Sequence, residues 1–207
     1  MRGQTAERLK GLTMKLIILD RDGVINEDAG DYIKSADEWQ PIAGSIEAIA
    51  RLNQAGYTCV VATNQSGLAR GLFDLDDLEA MHAKLTGLVE AQGGKLEAVF
   101  YCPHHPDDDC KCRKPKTGML DAIEAEFNLS LQDVVFVGDS LKDLQAGAAK
   151  GCTPCLVRTG RGRETEARLA EGVAAEGASP ALSLEQVVIF ADLADAVDTI
   201  LAAEAQD

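Results

Sequence analysis

Two aspartates, Asp20 and Asp22, sit two positions apart where an apolar run ends, in LIILDRDG (16–23). Carboxylates this close repel one another unless a cation lies between them. A hard divalent ion such as Mg2+, which takes oxygen ligands, resolves that conflict. A second apolar run, DVVFVGD (133–139), also ends on an acid, Asp139, with Asp143 four residues further on. Taken singly, each motif has a plain reading: the first as a strand-to-loop turn eased by Gly23, the second as a helix N-terminus. In a parallel sheet, however, Asp139 would meet Asp20 and Asp22 at one edge, and three converging carboxylates would make a Mg2+ site.

Two further segments could handle an anion. Thr63 and Asn64 close a third apolar run and open the loop NQSGLARG, whose hydroxyl and backbone N–H groups can hold phosphate oxygens. Arg113 and Lys114, in CRKPK, supply positive charge: Arg grips phosphate bidentately and Lys acts as a point charge. Just before them lies CPHHPDDDCKC (102–112), which holds three of the six cysteines and two of the three histidines. Cys102, Cys110, Cys112 and one histidine suit a tetrahedral Zn2+ site; spacing alone admits His104 or His105. Three thiolates and an imidazole around Zn2+ carry a net negative charge and leave no open position, so the expected role is structural. Cys152 and Cys155 have redox spacing, C-T-P-C, but open a strand and are expected to be buried there. Cys59 and Trp39 are expected in the packing, and His82 mid-helix as a surface or hydrogen-bonded residue.

These residues need elements to bring them together. Apolar runs at 15–20, 57–64, 96–103, 133–139, 153–160 and 187–193 read as strands. Helical spacing appears at 45–56, 75–94, 117–128, 141–151 and 194–205. The Gly-, Ala- and Glu-rich stretch 161–183 has no clear period, and its glutamates read as a solvated face. The alternation predicts an α/β fold, a Rossmann-like three-layer α/β/α sandwich with a mostly parallel central sheet. Such sheets bind ligands at the carboxyl ends of their strands. Those ends here are Asp20, Asn64, Cys102 and Asp139.

The 207 residues suit one domain, expected over 14–207, with 1–13 as a flexible extension. A net charge of −14 disfavours nucleic acid and anionic membranes as partners. No apolar run approaches the ~20 residues of a membrane span, and the N-terminus lacks the apolar centre of a secretory signal. The expectation is a cytoplasmic monomer, in a compartment where thiols stay reduced; a small anionic substrate would need a local positive site against the global charge.

The ordered set of acid pair, Thr63, Lys114 and second acid pair, each at a strand end, resembles the haloacid dehalogenase superfamily of phosphohydrolases over 15–160. The resemblance implies that Asp20 is the nucleophile, forming an aspartyl-phosphate, and that Asp22 is the general acid and base. It implies Mg2+ at Asp20, the Asp22 backbone carbonyl and Asp139, with Thr63 and Lys114 stabilising the phosphoryl group. The zinc loop narrows the resemblance to the heptose 1,7-bisphosphate 7-phosphatases of lipopolysaccharide core assembly, with histidinol-phosphate phosphatases as the alternative. Within that branch, His104 rather than His105 is the implied Zn2+ ligand beside Cys102, Cys110 and Cys112. Arg113, Asp28, Tyr32, Asn64, Gln65 and Ser66 are the implied substrate contacts. Ser140 stands where many relatives carry Lys or Arg. The gaps 23–44 and 71–96 leave no room for a large cap domain, so a capless or minimally capped site is expected.

Overall fold

The computed structural model describes residues 15–28, 30–172 and 182–205; the extension expected at 1–13 lies outside them. Six strands form one sheet: β1 (Leu16–Leu19), β2 (Thr58–Asn64), β3 (Ala98–Cys102), β4 (Val135–Gly138), β5 (Thr153–Val157) and β6 (Val188–Phe190). Their order is β3-β2-β1-β4-β5-β6, and every pair is parallel. The connecting helices are α1 (Ser45–Gln54), α2 (Leu75–Ala91), α3 (Gly118–Phe127), α4 (Leu141–Ala149), α5 (Gly162–Ala170) and α6 (Leu193–Glu204).

Alternation along the strands explains the three layers. Ile17, Leu19, Val61, Val137 and Val157 face one way and pack with Ile49 and Leu52 of α1, Leu85 of α2 and Val197 of α6. Leu16, Ile18, Val60, Ala62 and Phe136 face the other way, against Leu120 and Ile123 of α3 and Ala146 of α4. Strands buried on both faces must be apolar throughout, which is why these runs were conspicuous. Trp39 and Cys59 are buried in the first layer, as expected. Cys155 joins that layer while Cys152 joins the opposite one, so the two thiols lie on different sides of the sheet. Burial pushes both up to about 12, and neither is poised for redox chemistry.

The strands are shorter than the apolar runs suggested, and α5 was missed. Its sequence, GRETEARLA, is polar at most positions, and only Gly162, Thr165 and Leu169 are buried. Among the described residues, 23–28 and 30–44 form turns and loops with isolated bridges at Asn26 and hold no helix or strand that could serve as a cap.

Candidate active site

The strand order reverses at β1: the chain builds outward to β2 and β3, then returns to β4 on the other side of β1. Asp20 follows β1, and its backbone N–H donates to the Val137 carbonyl at 2.9 Å, which fixes it beside the end of β4. Asp139 follows β4. Asp20, Asp139 and Asp143 therefore converge, with carboxylate oxygens within 4.8 Å of one another. They are 8 %, 4 % and 1 % exposed. Lys114, 1 % exposed, places its ammonium 3.0 Å from Asp20 Oδ1 and 2.6 Å from Asp143 Oδ1, and donates to the Ala62 carbonyl at 2.6 Å. Three carboxylates against one ammonium leave two negative charges uncompensated.

The electrostatics register this imbalance. Burial, then the Asp143 charge, raise Asp20 to about 7 despite Lys114. Burial, then Asp143 and Asp20, raise Asp139 to about 8, against a hydrogen bond from the Arg161 N–H. Burial works against the Lys114 ammonium, but Asp143 and Asp20 outweigh it and hold its pKa above the usual lysine value. A buried, oxygen-only donor set short of two positive charges fits a hard divalent cation.

Local backbone geometry holds Asp139 in place. Gly23 (φ 79°) and Gly160 (φ 52°) lie against its carboxylate, and a Cβ on either would overlap Asp139 Oδ2. Both glycines also occupy the left-handed region. The Arg161 N–H donates to Asp139 Oδ2 at 2.8 Å, and Thr165 Oγ1 donates to its backbone carbonyl at 2.8 Å. Asp143 accepts from the Ser140 N–H at 3.0 Å and from its hydroxyl at 2.6 Å, closing a capping box on α4. Ser140 thus serves the helix start.

Asp22 is held separately. The Arg21 guanidinium grips it through Nε (3.1 Å to Oδ1) and Nη2 (3.0 Å to Oδ1, 3.1 Å to Oδ2). Asn26 Nδ2 donates to Oδ1 at 3.0 Å and Gln65 Nε2 to Oδ2 at 2.8 Å. Burial pushes this carboxyl up, but Arg21 and the two amides together hold it below its usual value. Gln65 also donates to Thr63 Oγ1 at 2.9 Å, tying Thr63 to Asp22.

Asn64 clasps Lys114. Its Nδ2 donates to the Lys114 carbonyl and its Oδ1 accepts the Lys114 N–H, both at 3.1 Å. Lys114 is thereby fastened to the end of β2 as well as to the cysteine loop. In that loop, Sγ of Cys102 lies 3.6 Å from Cys110, 3.3 Å from Cys112 and 3.6 Å from His104 Nδ1. Cys110 and Cys112 are 3.7 Å apart, and His104 Nδ1 is 3.2 Å from Cys112 Sγ. Metal–sulfur bonds of ~2.3 Å in a tetrahedron give edges of about 3.8 Å, so the four atoms fit a zinc ion. His105 turns elsewhere and accepts the Asp107 N–H to cap a short turn of helix.

A pocket of about 910 Å³ opens over Asp20 and Asp139. Its wall includes every expected substrate contact: Asp28, Tyr32, Asn64, Gln65, Ser66 and Arg113. Tyr32 Oη and Ser66 Oγ are 3.4 Å apart, and Asp28 pairs with Arg161 at 3.2 Å. The sequence reading missed Lys142, Arg161 and Arg168, which line the same wall. Burial, then Arg113, Arg161 and Arg168, depress Lys142 below the usual lysine value. Arg113 Nη1 is buried with no hydrogen-bond partner among the described residues. The signal for Arg161 and Arg168 was a helix too polar to stand out, and for Lys142 a position one turn after Asp139. His82, expected at the surface or hydrogen-bonded, is partly buried with Nε2 3.2 Å from Arg21 Nη1.

The chain is similar to known proteins over most of its length. A HAD-hydrolase-like family model matches residues 111–187. The D-glycero-β-D-manno-heptose-1,7-bisphosphate 7-phosphatase of Pseudomonas aeruginosa is 59 % identical over 154 residues, covering 74 % of this chain and 86 % of that one. The crystal structure of D,D-heptose 1,7-bisphosphate phosphatase from B. bronchiseptica, complexed with magnesium and phosphate, superposes with a TM-score of 0.82 at 50 % identity, covering 91 % of this chain and 99 % of that one. The enzyme of the same name from Burkholderia thailandensis gives a TM-score of 0.66 at 44 % identity, again over 91 % and 99 %. At that identity and coverage, the chain belongs to the heptose-1,7-bisphosphate 7-phosphatase family, a branch of the HAD-like hydrolases.

Proposed function

We propose that the protein removes the C7 phosphate of D-glycero-β-D-manno-heptose 1,7-bisphosphate, leaving heptose 1-phosphate. The substrate and position come from the names of its relatives. The observation on this chain that carries the reading is the cationic wall of Arg113, Lys142, Arg161 and Arg168 beside the carboxylate centre. A bisphosphate presents a second anion to that wall. Histidinol phosphate presents an ammonium group, which the same wall repels.

In the proposed reaction an Asp20 carboxylate oxygen attacks phosphorus and the bond to the C7 oxygen breaks, giving an aspartyl-phosphate. Asp22 gives a proton to the departing alkoxide, then takes one from the water that attacks the phosphoenzyme and frees inorganic phosphate. Asp22 rests ionised; the charge of the arriving phosphate raises its proton affinity, and it takes the proton it later donates from solvent or from the monoanionic ester. Lys114, 3.0 Å from Asp20, and Thr63, on the same pocket wall, would hold the phosphoryl oxygens. Mg2+ would be held by Asp20, Asp139 and the Asp22 carbonyl, and supplies charge neutralisation on the phosphoryl group when bound. Zn2+ would be held by Cys102, His104, Cys110 and Cys112, and supplies rigidity to the loop carrying Arg113 and Lys114. The reduced thiols it needs suit a cytoplasmic setting; among the described residues no helix is long and apolar enough to cross a membrane.

The test is steady-state phosphate release from heptose 1,7-bisphosphate and from histidinol phosphate, with product analysis. Release from C7 with kcat/KM far above that for histidinol phosphate is expected. Preference for histidinol phosphate, or release from C1, would overturn the proposal.

A further inference from the structure

We infer that His82 is a positioning residue for the Asp22 carboxylate, acting through Arg21. The inference rests on the proton-transfer role given to Asp22 above and concerns how this chain aims that group.

The Arg21 side chain is fully buried and spans two partners. Its Nε and Nη2 face Asp22, and its Nη1 lies 3.2 Å from His82 Nε2. A guanidinium offers only donors. His82 Nε2 must therefore be the acceptor, which makes the imidazole neutral with its proton on Nδ1. Burial first, and Arg21 second, lower the His82 pKa to about 4, so the accepting form persists at neutral pH. The ring is set by elements outside the carboxylate centre. It projects from the middle of α2 and tilts against Tyr101 of β3, centroids 5.9 Å apart.

Asp22 is thus held from two sides. Asn26 and Gln65 donate from one, and Arg21 from the other. Without His82, Nη1 would be a buried donor with no partner, a state costly enough to make the guanidinium turn toward another acceptor. The bidentate grip on Asp22 would turn with it. Among the described residues no hydrogen bond joins His82 to Asp20, Asp139, Asp143 or Lys114, and its polar partner is Arg21, so its loss should damage proton delivery specifically.

That specificity gives the test. A sugar alkoxide needs a proton to leave, whereas p-nitrophenolate leaves as the anion. The parameter kcat/KM covers steps only up to expulsion of the leaving group, so hydrolysis of the phosphoenzyme does not enter. We expect His82→Leu in the full chain with Mg2+ to lower kcat/KM for heptose 1,7-bisphosphate by about 10- to 100-fold, a fraction of the roughly 10²–10⁴ that general acid catalysis supplies. For p-nitrophenyl phosphate the loss should stay under about threefold. His82→Gln, whose amide oxygen can accept from Arg21, should recover most of the difference. If His82→Leu does not fold, Arg21→Lys serves instead: it keeps the charge but cannot bridge both partners, and the same split is expected. Equal losses on the two esters, no loss on either, or a Gln variant as impaired as Leu would overturn the inference. Asp22→Ala is the control. A split there with none at His82 overturns this inference alone; no split at Asp22 removes the proton role itself, and the inference falls with it.

Discussion

The hydrogen bonds between Asn64 and Lys114 make a quantitative claim about what aims the site's lysine. Two forces could place Lys114: the metal loop two residues before it, or the side chain of Asn64 at the end of β2. Asn64→Ala separates them. The substitution deletes two bonds of 3.1 Å, one to the Lys114 carbonyl and one from its N–H. At ~0.5–1.5 kcal/mol net for each, the stability cost is about 1–3 kcal/mol. For a domain of this size each kcal/mol moves Tm by ~2–4 °C, so a fall of about 2–12 °C is expected. The effect on rate is the sharper test. The Lys114 ammonium is held by contacts of 3.0 Å to Asp20 and 2.6 Å each to Asp143 and the Ala62 carbonyl. A displacement near 1 Å can cost ~10²-fold, and the Asp20 and Asp143 contacts resist part of it, so a drop of about 10- to 100-fold in kcat/KM is expected. Thermal denaturation and phosphate-release kinetics measure the two, with zinc content checked to show that the cysteine cluster is intact. A lowered Tm with unchanged kcat/KM would refute the reasoning: Asn64 would then be a structural clasp, and the zinc loop alone would aim the lysine.

Two other perturbations probe the metal sites. Stripping zinc with a strong chelator should abolish activity in a way that Mg2+ alone does not restore but Zn2+ plus Mg2+ does; zinc-free protein with full turnover in Mg2+ would contradict the structural role of the cysteine cluster. Gly160→Ala forces a methyl onto Asp139 Oδ2 from a backbone at φ 52°, so it should lose ~1–2 kcal/mol of stability and raise the Mg2+ concentration for half-maximal activity by about tenfold; an unchanged Mg2+ requirement would argue against Asp139 as a ligand.

What the sequence made legible follows from what each residue has to do. Strands buried on both faces must be apolar throughout, so β1, β2 and β4 stood out, and with them Asp20, Thr63 and Asp139 at their ends. The cysteine cluster was legible because its residues are close in the chain, although spacing left His104 and His105 equal. Backbone direction separates them: His105 turns to cap the next short helix. The hidden parts depend on distant pairs. Asn64 meets Lys114 fifty residues away and Arg21 meets His82 sixty-one away, in both cases through side chains whose local context is ordinary. Helix α5 was hidden because only three of its residues are buried, too few for a helical period. Its N-cap, Arg161, nonetheless carries the N–H that holds Asp139, and Arg161 and, in the last turn, Arg168 stand on the pocket wall.

The charge of the molecule and the charge of its site obey different rules. A chain of net charge −14 repels, on net charge alone, a bisphosphate carrying about −3 to −4 at neutral pH. At physiological salt, however, charges more than ~8 Å apart are largely screened, so only the nearest groups matter. At the strand ends, Asp20, Asp139 and Asp143 against Lys114 leave two negative charges, which a divalent cation would cancel. Asp22 and Arg21 cancel each other. With that cation bound, the reacting phosphate would meet a nearly neutral centre. In the proposed reading the second phosphate would meet Arg113, Lys142, Arg161 and Arg168, offset in part by Asp28, Asp31 and Glu164. Chemistry and affinity are thus assigned to different residues within one pocket. The cysteine loop joins them, because Arg113 on the wall and Lys114 at the centre are neighbours in the chain, directly after Cys112.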